Sequence, residues 1–230
     1  MILSVIIPVF NEKNTILEIL KKINNVNLSD LGFEKEIIII DDGSTDGSRE
    51  ILDKLADKYK IIYHPKNQGK GTAIRNGLSR VSGDYVIIQD ADLEYEPADY
   101  KELLKCALKN DAKVVYGSRR LNPKNKFSHF SFYLGGIFLT WLTNIIYGVK
   151  ITDESTCYKL FKTEIIKSIP LKCTGFEFCP EVTAKIAKRK IKICEIPINY
   201  HARHIKEGKK IKWKDGFLAI WVLIKYKFFN

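Results

Sequence analysis

The feature that most constrains the fold is a repeated alternation of short apolar runs with amphipathic segments, which continues to about residue 117. Ser4–Val9 and Glu36–Ile40 are apolar runs typical of parallel strands buried on both faces. Between them, Asn14–Ile23 carries its apolar residues at helical spacing. The same rhythm predicts helices at Ser48–Tyr59, Gly71–Val81 and Ala98–Leu108, and strands at Ile61–Tyr63, Tyr85–Ile88 and Lys113–Tyr116. This pattern predicts an α/β fold in which helices cover both faces of a mostly parallel sheet.

The pattern changes after residue 120. A polar loop at Leu121–Lys126 leads into an uncharged segment at Phe127–Val149. A helix near Glu181–Lys188 and a strand at Ile191–Ile196 are predicted to complete the sheet. Since no linker or repeat divides the 230 residues, we expect a single domain over residues 1–230.

The chain carries a formal net charge of +11, which favours an anionic partner. Nucleic acid, a phosphorylated small molecule and an acidic membrane surface all fit that charge. Five cysteines without a CxxC pair, and His201 and His204 as the close histidine pair, argue against a zinc site. They favour a reduced, cytoplasmic setting, and Met1–Ile7 lacks the basic region of a signal peptide.

Two apolar segments bear on membrane association. Phe127–Val149 is long enough to cross a bilayer, but polar residues and two adjacent glycines interrupt it, so we expect a buried or interfacial helix. Phe217–Phe229 is too short to cross and carries Lys225 and Lys227, which is typical of an amphipathic helix lying on an apolar surface. The basic run Tyr200–Lys214 precedes it and suits contact with lipid phosphates.

Polar residues follow each strand of the first half, where ligands of open α/β sheets bind. The runs are Pro8–Glu12, Asp41–Gly47, Gln89–Glu94 and Gly117–Arg120. Carboxylates gathered at one edge repel each other unless a cation neutralises them, and oxygen ligands suit Mg²⁺ or Mn²⁺. Asp90-Ala91-Asp92 is the strongest candidate, because the small Ala91 permits the turn that brings both carboxylates to one ion.

Each of these runs also has a structural interpretation. Asp90 and Asp92 could form a turn that caps the next helix, with Pro97 at its first position. The Asp41–Gly47 run is rich in turn formers, although one of its aspartates could bind a ribose or a base. Lys70 lies in a glycine-rich run without the spacing of a P-loop, and either meets a phosphate or is solvated.

In this order, the motifs resemble those of family 2 glycosyltransferases of the GT-A fold, in particular dolichol-phosphate mannose synthases and bacterial polyprenyl-phosphate sugar transferases. The motifs that carry the resemblance are Ser4–Glu12, Asp41-Asp42-Gly43-Ser44-x-Asp46-Gly47, Asn67-x-Gly69-Lys70-Gly71, Asp90-Ala91-Asp92-Leu93, Gly117-Ser118-Arg119 and Pro197-Ile198-x-Tyr200-x-x-Arg203. The resemblance implies a Rossmann-like sheet whose residues 1–120 bind a nucleotide sugar. Residues 121–230 would face the acceptor and the membrane.

The resemblance also implies roles for single residues. The residues expected to bind the nucleotide sugar are Pro8, Phe10, Glu12, Asp41, Asp42, Lys70, Asp90 and Ala91. Those expected to hold the metal are Asp90, Asp92 and Glu94, although the mannose synthases often carry Gln where Glu94 stands. The acceptor phosphate is expected to meet Arg119, Arg203, Lys209 and Lys210, with Asp92, Arg119 and Arg203 as the catalytic residues.

A lipid phosphate would be the implied acceptor. It is largely ionised near neutral pH and attacks the anomeric carbon without a protein base, which inverts that centre. A hydroxyl of a growing glycan is the alternative acceptor, and it would need a base such as Glu177 or Glu181. A third possibility is a non-enzymatic binder of anionic membrane or nucleic acid, although the clustered aspartates would repel a nucleic acid backbone.

The same resemblance bears on location. Several relatives carry membrane-spanning helices after the catalytic domain, and this chain stops before them. We therefore expect a peripheral protein on the cytoplasmic face of a membrane, with a separate membrane-spanning partner as an option.

Overall fold

The computed structural model describes residues 1–127, 130–203, 210 and 213–229. Within these residues, seven strands form one sheet in the order β3-β2-β1-β4-β6-β5-β7. The strands are β1 (Ile2–Val9), β2 (Glu34–Asp41), β3 (Lys60–Tyr63), β4 (Tyr85–Ile88), β5 (Val114–Ser118), β6 (Lys159–Lys162) and β7 (Ile193–Pro197). Neighbouring strands pair in parallel except at β6, which is antiparallel to both β4 and β5. The predicted mostly parallel α/β sheet is confirmed.

Helices connect these strands. They are α1 (Ile16–Asn25), α2 (Ser48–Asp53), α3 (Lys70–Leu78), α4 (Tyr100–Lys109), α5 (Phe130–Tyr147), α6 (Thr163–Lys167), α7 (Phe178–Lys188) and α8 (Trp213–Phe228). One-turn 3₁₀ helices lie at Ser29–Leu31 and Pro97–Asp99, and Pro97 takes the first helical position as predicted.

The core lies on both faces of β1 and its neighbours. Ile6 pairs with Ile38 of β2 and Ile88 of β4, and all three side chains are fully buried. Branched side chains fit this pleated, two-sided environment, which explains the unbroken apolar runs in the sequence.

Helix α2 is shorter than the predicted Ser48–Tyr59. After Asp53 the amides of Leu55 and Lys58 bond to carbonyls three residues earlier, those of Leu52 and Leu55. The chain therefore continues in tighter turns, which periodicity alone does not separate from an α-helix.

Strand β6 was absent from the sequence prediction. Its two central residues, Leu160 and Phe161, are apolar and buried, but a lysine stands on either side of them. Lys159 is fully buried; its Nζ donates to the carbonyls of Glu154 (2.6 Å) and Thr156 (2.7 Å). A buried lysine satisfied by backbone carbonyls disguises a core strand as a polar segment.

Helices α5 and α8 pack against each other and against α7. Tyr147 on α5 donates a hydrogen bond to the Leu223 carbonyl on α8 (2.6 Å), and Thr143 is buried towards the body of the protein. The opposite side is open: Trp141 is 56% and Trp221 55% exposed. Among the described residues, α5 is one helix long and apolar enough to cross a membrane, with a mean hydropathy of 1.3. It is largely exposed, so the expectation of a buried helix is wrong, and the interfacial setting stays a prediction.

Candidate functional site

The carboxyl ends of β1, β2, β4, β5 and β7 open on one edge of the sheet. Strands β4 and β5 both run antiparallel to β6, which lies between them, so β4 and β5 run in the same direction as each other. The polar runs after these strands therefore share one rim, as the sequence predicted.

Asp90 lies two residues after the end of β4, and it forms an ion pair with Lys70, the first residue of α3. Lys70 Nζ lies 2.5 Å from the Asp90 carboxylate and 3.4 Å from Cys157 Sγ. Burial alone would lower the pKa of Lys70, but the Asp90 carboxylate raises it well above its usual value. Lys70 is therefore a fixed positive charge beside the acidic turn.

Arg203, six residues after β7, joins the acidic ends of β1 and β4. Its Nη2 lies 2.8 Å from Glu12 and 3.4 Å from Asp92. Glu94 accepts hydrogen bonds from the Arg203 amide (2.8 Å) and the Tyr200 hydroxyl (3.0 Å). Burial, and then the negative charges of Asp90 and Glu94, raise the pKa of Asp92 to about 7.

Two residues of this rim have strained backbones. Leu93 (φ 65°) and Asn11 (φ 53°) both adopt left-handed conformations that non-glycine residues rarely take. The Asn11 turn is held because its amide donates to Ser44 Oγ (3.0 Å) and its side-chain oxygen accepts from the Thr45 amide (2.8 Å). Such strain concentrates at functional sites, where the surrounding structure maintains it.

Arg119, after β5, is locked in place by Asp153. Its Nε and Nη2 donate to the two carboxylate oxygens at 2.7 and 2.8 Å, and its guanidinium lies 5.1 Å from the Tyr200 ring centre. Burial would lower the pKa of Arg119, but Asp153 raises it well above its usual value. This bidentate pair uses one N–H each of Nε and Nη2, so Nη1 and the second N–H of Nη2 can donate to a ligand.

Asp41 and Asp42 build the floor of the rim. Asp41 is fully buried and pairs with Arg49 (2.7 Å). Asp42 is 3% exposed and accepts from the amides of Gln68 and Gly69, both at 2.8 Å, and bonds to His64 Nδ1 (2.7 Å). Both carboxylates are therefore occupied with shaping the turns, and their contact with a ribose or base stays a prediction.

The other predicted ligand residues line the same rim. Pro8 and Phe10 are half-buried, and Ala91 is buried beneath the acidic turn. Lys210 Nζ lies 2.7 Å from Glu12, 5.5 Å from the Phe10 ring centre, and also bonds to the Phe10 carbonyl. The prediction for Lys209 falls outside the described residues.

Neither candidate base has an uncommitted carboxylate. Glu181 is 1% exposed and accepts from the amides of Lys172 (2.8 Å) and Cys173 (2.6 Å). Glu177 accepts from the amides of Thr174 (2.6 Å) and Gly175 (3.0 Å). Both glutamates hold the loop before α7, and their expected role as a base is not supported by this geometry.

Within the described part of the chain, no three His, Cys, Asp or Glu side chains form a ready-made metal cluster. The predicted trio is instead divided among Lys70, Arg203 and Tyr200. The residues still fit a divalent ion shared with a ligand, because Mg²⁺ typically takes one or two protein carboxylates together with phosphate oxygens. Burial and the neighbouring charges of Asp90 and Glu94 raise the pKa of Asp92, and a bound cation would oppose both effects.

Two residues of this site, Asp153 and His64, were not among those predicted from the sequence. Asp153 lies in the polar run after the uncharged helix, and the two adjacent acidic residues of that run, Asp153 and Glu154, were the available signal. His64 directly follows β3, which made it a strand-end residue like the others. Its Nε2 bonds to Asn76 Nδ2 (2.8 Å), so it ties Asp42 to α3.

Comparison with family models matches residues 4–169 to the family described as Glycosyl transferase family 2. Among curated relatives, the chain is 29% identical over 218 residues to the low-salt glycan biosynthesis hexosyltransferase Agl6 of Haloferax volcanii. It is 29% identical over 226 residues to the dolichol-phosphate mannosyltransferase of Pyrococcus furiosus. These alignments cover 94% and 93% of this chain but only 51% and 60% of the relatives. The chain thus spans about half to three fifths of their length.

Two solved structures share the fold. A Mycobacterium tuberculosis glucosyl-3-phosphoglycerate synthase in complex with Mn²⁺ and UDP-glucose gives a TM-score of 0.75 at 18% identity, covering 99% of this chain and 79% of that one. Mannosyl-3-phosphoglycerate synthase from Rubrobacter xylanophilus gives 0.75 at 17% identity, with 98% and 72% covered. This likeness confirms the predicted GT-A fold.

Proposed function

The chain belongs to glycosyl transferase family 2, and from that premise we propose an inverting, metal-dependent hexosyltransferase that acts at a membrane surface. Its donor is a GDP- or UDP-linked sugar, and its acceptor is a polyprenyl or dolichyl phosphate. The relatives named for dolichol phosphate support the acceptor class, and the neighbour named for UDP-glucose and Mn²⁺ supports the donor class.

One observation carries the proposal: acidic and basic groups that suit two phosphate ligands share one rim. Asp90, Asp92 and Glu12 supply negative charge, while Lys70 and Arg203 lie within ion-pair distance of them. A ligand that brings both a cation and a diphosphate can exchange partners with every member of this set.

On the donor side, Phe10 and Pro8 offer a half-buried surface for the base and ribose. Lys70 is held by its contact with Asp90 where it can bind a diphosphate oxygen. When bound, a divalent ion at Asp90 and Asp92 supplies positive charge to the leaving nucleoside diphosphate.

On the acceptor side, the protein's task is to position an anion that is already a nucleophile. Asp153 orients the Arg119 guanidinium for this task and leaves N–H groups of Nη1 and Nη2 for a phosphate oxygen. Arg203 lies between Glu12 and Asp92, close to the acidic turn that would hold the donor. Because the lipid phosphate needs no deprotonation near neutral pH, the occupied state of Glu177 and Glu181 does not obstruct the reaction.

The surface of α5 and α8 supports action at a membrane. Both helices expose tryptophans, Trp141 and Trp221, on the side away from the protein body. Lys225 Nζ lies 4.7 Å from the Trp221 ring centre, and Lys227 donates to the Ile146 carbonyl on α5 (2.6 Å). Lysines beside an apolar surface are typical of helices that lie in the plane of the bilayer interface. We propose a peripheral location on the cytoplasmic face, with α5 lying on the bilayer and a separate membrane-spanning protein as a candidate partner.

The experiment that tests the function is incubation of the purified chain with Mn²⁺ or Mg²⁺, polyprenyl phosphate and a panel of GDP- and UDP-sugars. We expect sugar on the lipid phosphate for at least one donor. Sugar transfer to an added saccharide, without lipid product, would select the hydroxyl-acceptor alternative. Absence of both products would contradict an enzymatic role.

The variant Asp92→Asn separates an enzyme from a charge-driven binder. Loss of second-shell metal partners costs about 10–100-fold, so loss of a direct ligand should lower turnover at least about 100-fold. Vesicle binding should be unchanged, because Asp92 is not part of α5 or α8. Asp57→Asn, at an exposed carboxylate outside the rim, is the control and should keep full activity. Retained transfer by Asp92→Asn would refute the metal assignment.

A further inference from the structure

The Glu181 carboxylate is a buried junction between a loop and helix α8. It accepts hydrogen bonds from the amides of Lys172 (2.8 Å) and Cys173 (2.6 Å) and from the Tyr226 hydroxyl (2.9 Å). It also pairs with Lys185 one turn later on α7. Burial would raise the pKa of Glu181, but Lys185 and the other donors lower it, so the group stays ionised and fully bonded.

The loop held by Glu181, residues 172–175, presses directly against the start of α3. The Thr72 amide donates to the Thr174 carbonyl (3.1 Å). A Cβ placed at Gly69 would lie 2.3 Å from that carbonyl oxygen, and one at Gly71 would lie 2.9 Å from loop backbone atoms. The two glycines therefore allow the loop backbone to contact the start of α3 directly. Because no side chain lies between them, a shift of the loop would also move the start of α3.

Lys70 stands between these two glycines. Its Nζ reaches Asp90 at 2.5 Å and lies 5.8 Å from the ring centre of Phe176, which follows the loop. The position of this ammonium group is thus set by the loop on one side and by the acidic turn on the other.

Tyr226 connects the same junction to α8. Its ring is 3% exposed and its hydroxyl points inward to Glu181, whereas Trp221 and Phe217 of α8 face outward. A second tyrosine, Tyr147, also fastens α8 to the protein body, but it bonds to the Leu223 carbonyl and not to Glu181.

We propose that Glu181 is a positioning residue for donor binding, which holds loop 172–175 so that Lys70 meets the donor diphosphate, and that Tyr226 ties this arrangement to α8. The proposal rests on the proposed function, because it assigns Lys70 to the donor site. It gives Glu181 an indirect role in place of the general base considered for a hydroxyl acceptor.

The test measures the dissociation constants of UDP and GDP, each with Mn²⁺, for the full chain and three variants. Glu181→Gln retains one acceptor oxygen. The variant therefore loses either the hydrogen bond from the Cys173 amide to Oε2 or those from the Lys172 amide and the Tyr226 hydroxyl to Oε1. Tyr226→Phe removes only the hydroxyl. Tyr147→Phe is the matched control, because it removes a tyrosine hydrogen bond to α8 without touching Glu181.

We expect the dissociation constant to rise about five- to tenfold for Glu181→Gln, about two- to threefold for Tyr226→Phe, and not at all for Tyr147→Phe. In the transfer assay, Glu181→Gln should raise the donor KM and leave kcat at saturating donor nearly unchanged. A fall of kcat with an unchanged KM would overturn the proposal in favour of a general base.

Amide hydrogen exchange provides a readout without nucleotide. Exchange of the Thr72 amide should accelerate in Glu181→Gln and Tyr226→Phe, and stay at the wild-type rate in Tyr147→Phe.

If the wild type binds nucleotide and all three variants have the same dissociation constant as the wild type, the positioning role alone is overturned. Failure of the wild type to bind either nucleotide would contradict the proposed function, and with it the role of Glu181 in binding the sugar donor.

Discussion

Three carboxylates of the rim have a cation of the same chain within ion-pair distance. Asp90 faces Lys70, Asp92 faces Arg203, and Glu12 faces both Arg203 and Lys210. Binding of a metal–diphosphate ligand would therefore exchange one set of ion pairs for another. The desolvated charges are compensated before and after binding, which limits the cost of keeping them buried.

Away from the rim, Glu36 provides a prediction about acid stability. Its carboxylate accepts from Ser4 Oγ, from the Ser82 amide (3.0 Å) and hydroxyl (2.6 Å), and pairs with Lys60 (2.5 Å). Burial alone would raise its pKa, but the hydrogen bonds from Lys60, Ser4 and Ser82 lower it to about 2. The carboxylate thus stabilises the fold fully above its ordinary pKa of 4.5, and this contribution is lost as the pH falls towards 2.

Glu36→Gln should lower the free energy of unfolding by about 1–3 kcal/mol near neutral pH, because it removes the charge that accepts from the buried Ser4 hydroxyl, from Ser82 and from Lys60. The difference in the free energy of unfolding between this variant and the wild type should narrow as the pH falls from about 5 to about 2. Urea unfolding across this range measures it, with the exposed Glu50→Gln as control. A gap that is the same at every pH would contradict the assigned charge.

The candidate site was predictable where its residues follow strands. Asp90, Asp92 and Arg119 were found because the carboxyl ends of parallel strands meet. Their partners were not: Asp153 is 34 positions from Arg119, and Glu12 is 191 positions from Arg203. Periodicity describes neighbours within an element, so it carries no information about pairs that only the tertiary fold brings together.

Among the elements, α3 packs directly against β1 and β2 at Gly77. A Cβ there would lie 2.7 Å from Ile6 Cγ2 and 2.9 Å from Ile40 Cδ1, both in the fully buried core. Gly77→Ala should therefore lower the free energy of unfolding by about 1–3 kcal/mol through overpacking, despite the better helix propensity of alanine. Chemical denaturation measures the change.

Gly216, inside α8, is the matched control. A Cβ there meets no described atom within 4 Å. Gly216→Ala should be neutral or should stabilise the helix by up to about 1 kcal/mol. Equal destabilisation by both alanines would contradict the packing argument.

The elements that the sequence predicted well are those with a strong local signature. β1 and β2 are apolar on both faces, and both lie where the sequence indicated. β6 was missed because the buried Lys159 donates to the carbonyls of Glu154 and Thr156, in the turn just before the strand, and the sequence does not show that these carbonyls satisfy its charge. The exposure of α5 was also beyond the sequence, since an uncharged helix has the same composition in a core and at an interface.

At the scale of the whole molecule, the ligand rim and the apolar surface belong to one body. The chain from β7 passes Arg203 at the rim before it reaches α8. A lipid acceptor needs this arrangement, because its phosphate must reach the rim while its prenyl chain stays in an apolar phase.

Vesicle binding tests the apolar surface. The double variant Trp141→Glu with Trp221→Glu should lower binding to anionic vesicles at least about tenfold in a sedimentation assay, since two exposed aromatic anchors become charged. Because both tryptophans are exposed, each substitution should change the free energy of unfolding by less than about 0.5 kcal/mol. Leu17→Glu, on α1 and 54% exposed, is the control and should bind like wild type. Equal loss in all variants would contradict a specific docking face.

The account depends most on a donor diphosphate held by a divalent ion at Asp90 and Asp92. Anomalous diffraction from crystals grown with Mn²⁺ and either UDP or GDP measures this directly. The predicted result is a manganese peak bound to at least one of these carboxylates and to diphosphate oxygens, with Lys70 shifted from Asp90 onto a phosphate. The contradicting result is nucleotide bound elsewhere, or no manganese peak, while Asp90 and Asp92 keep their pairs with Lys70 and Arg203.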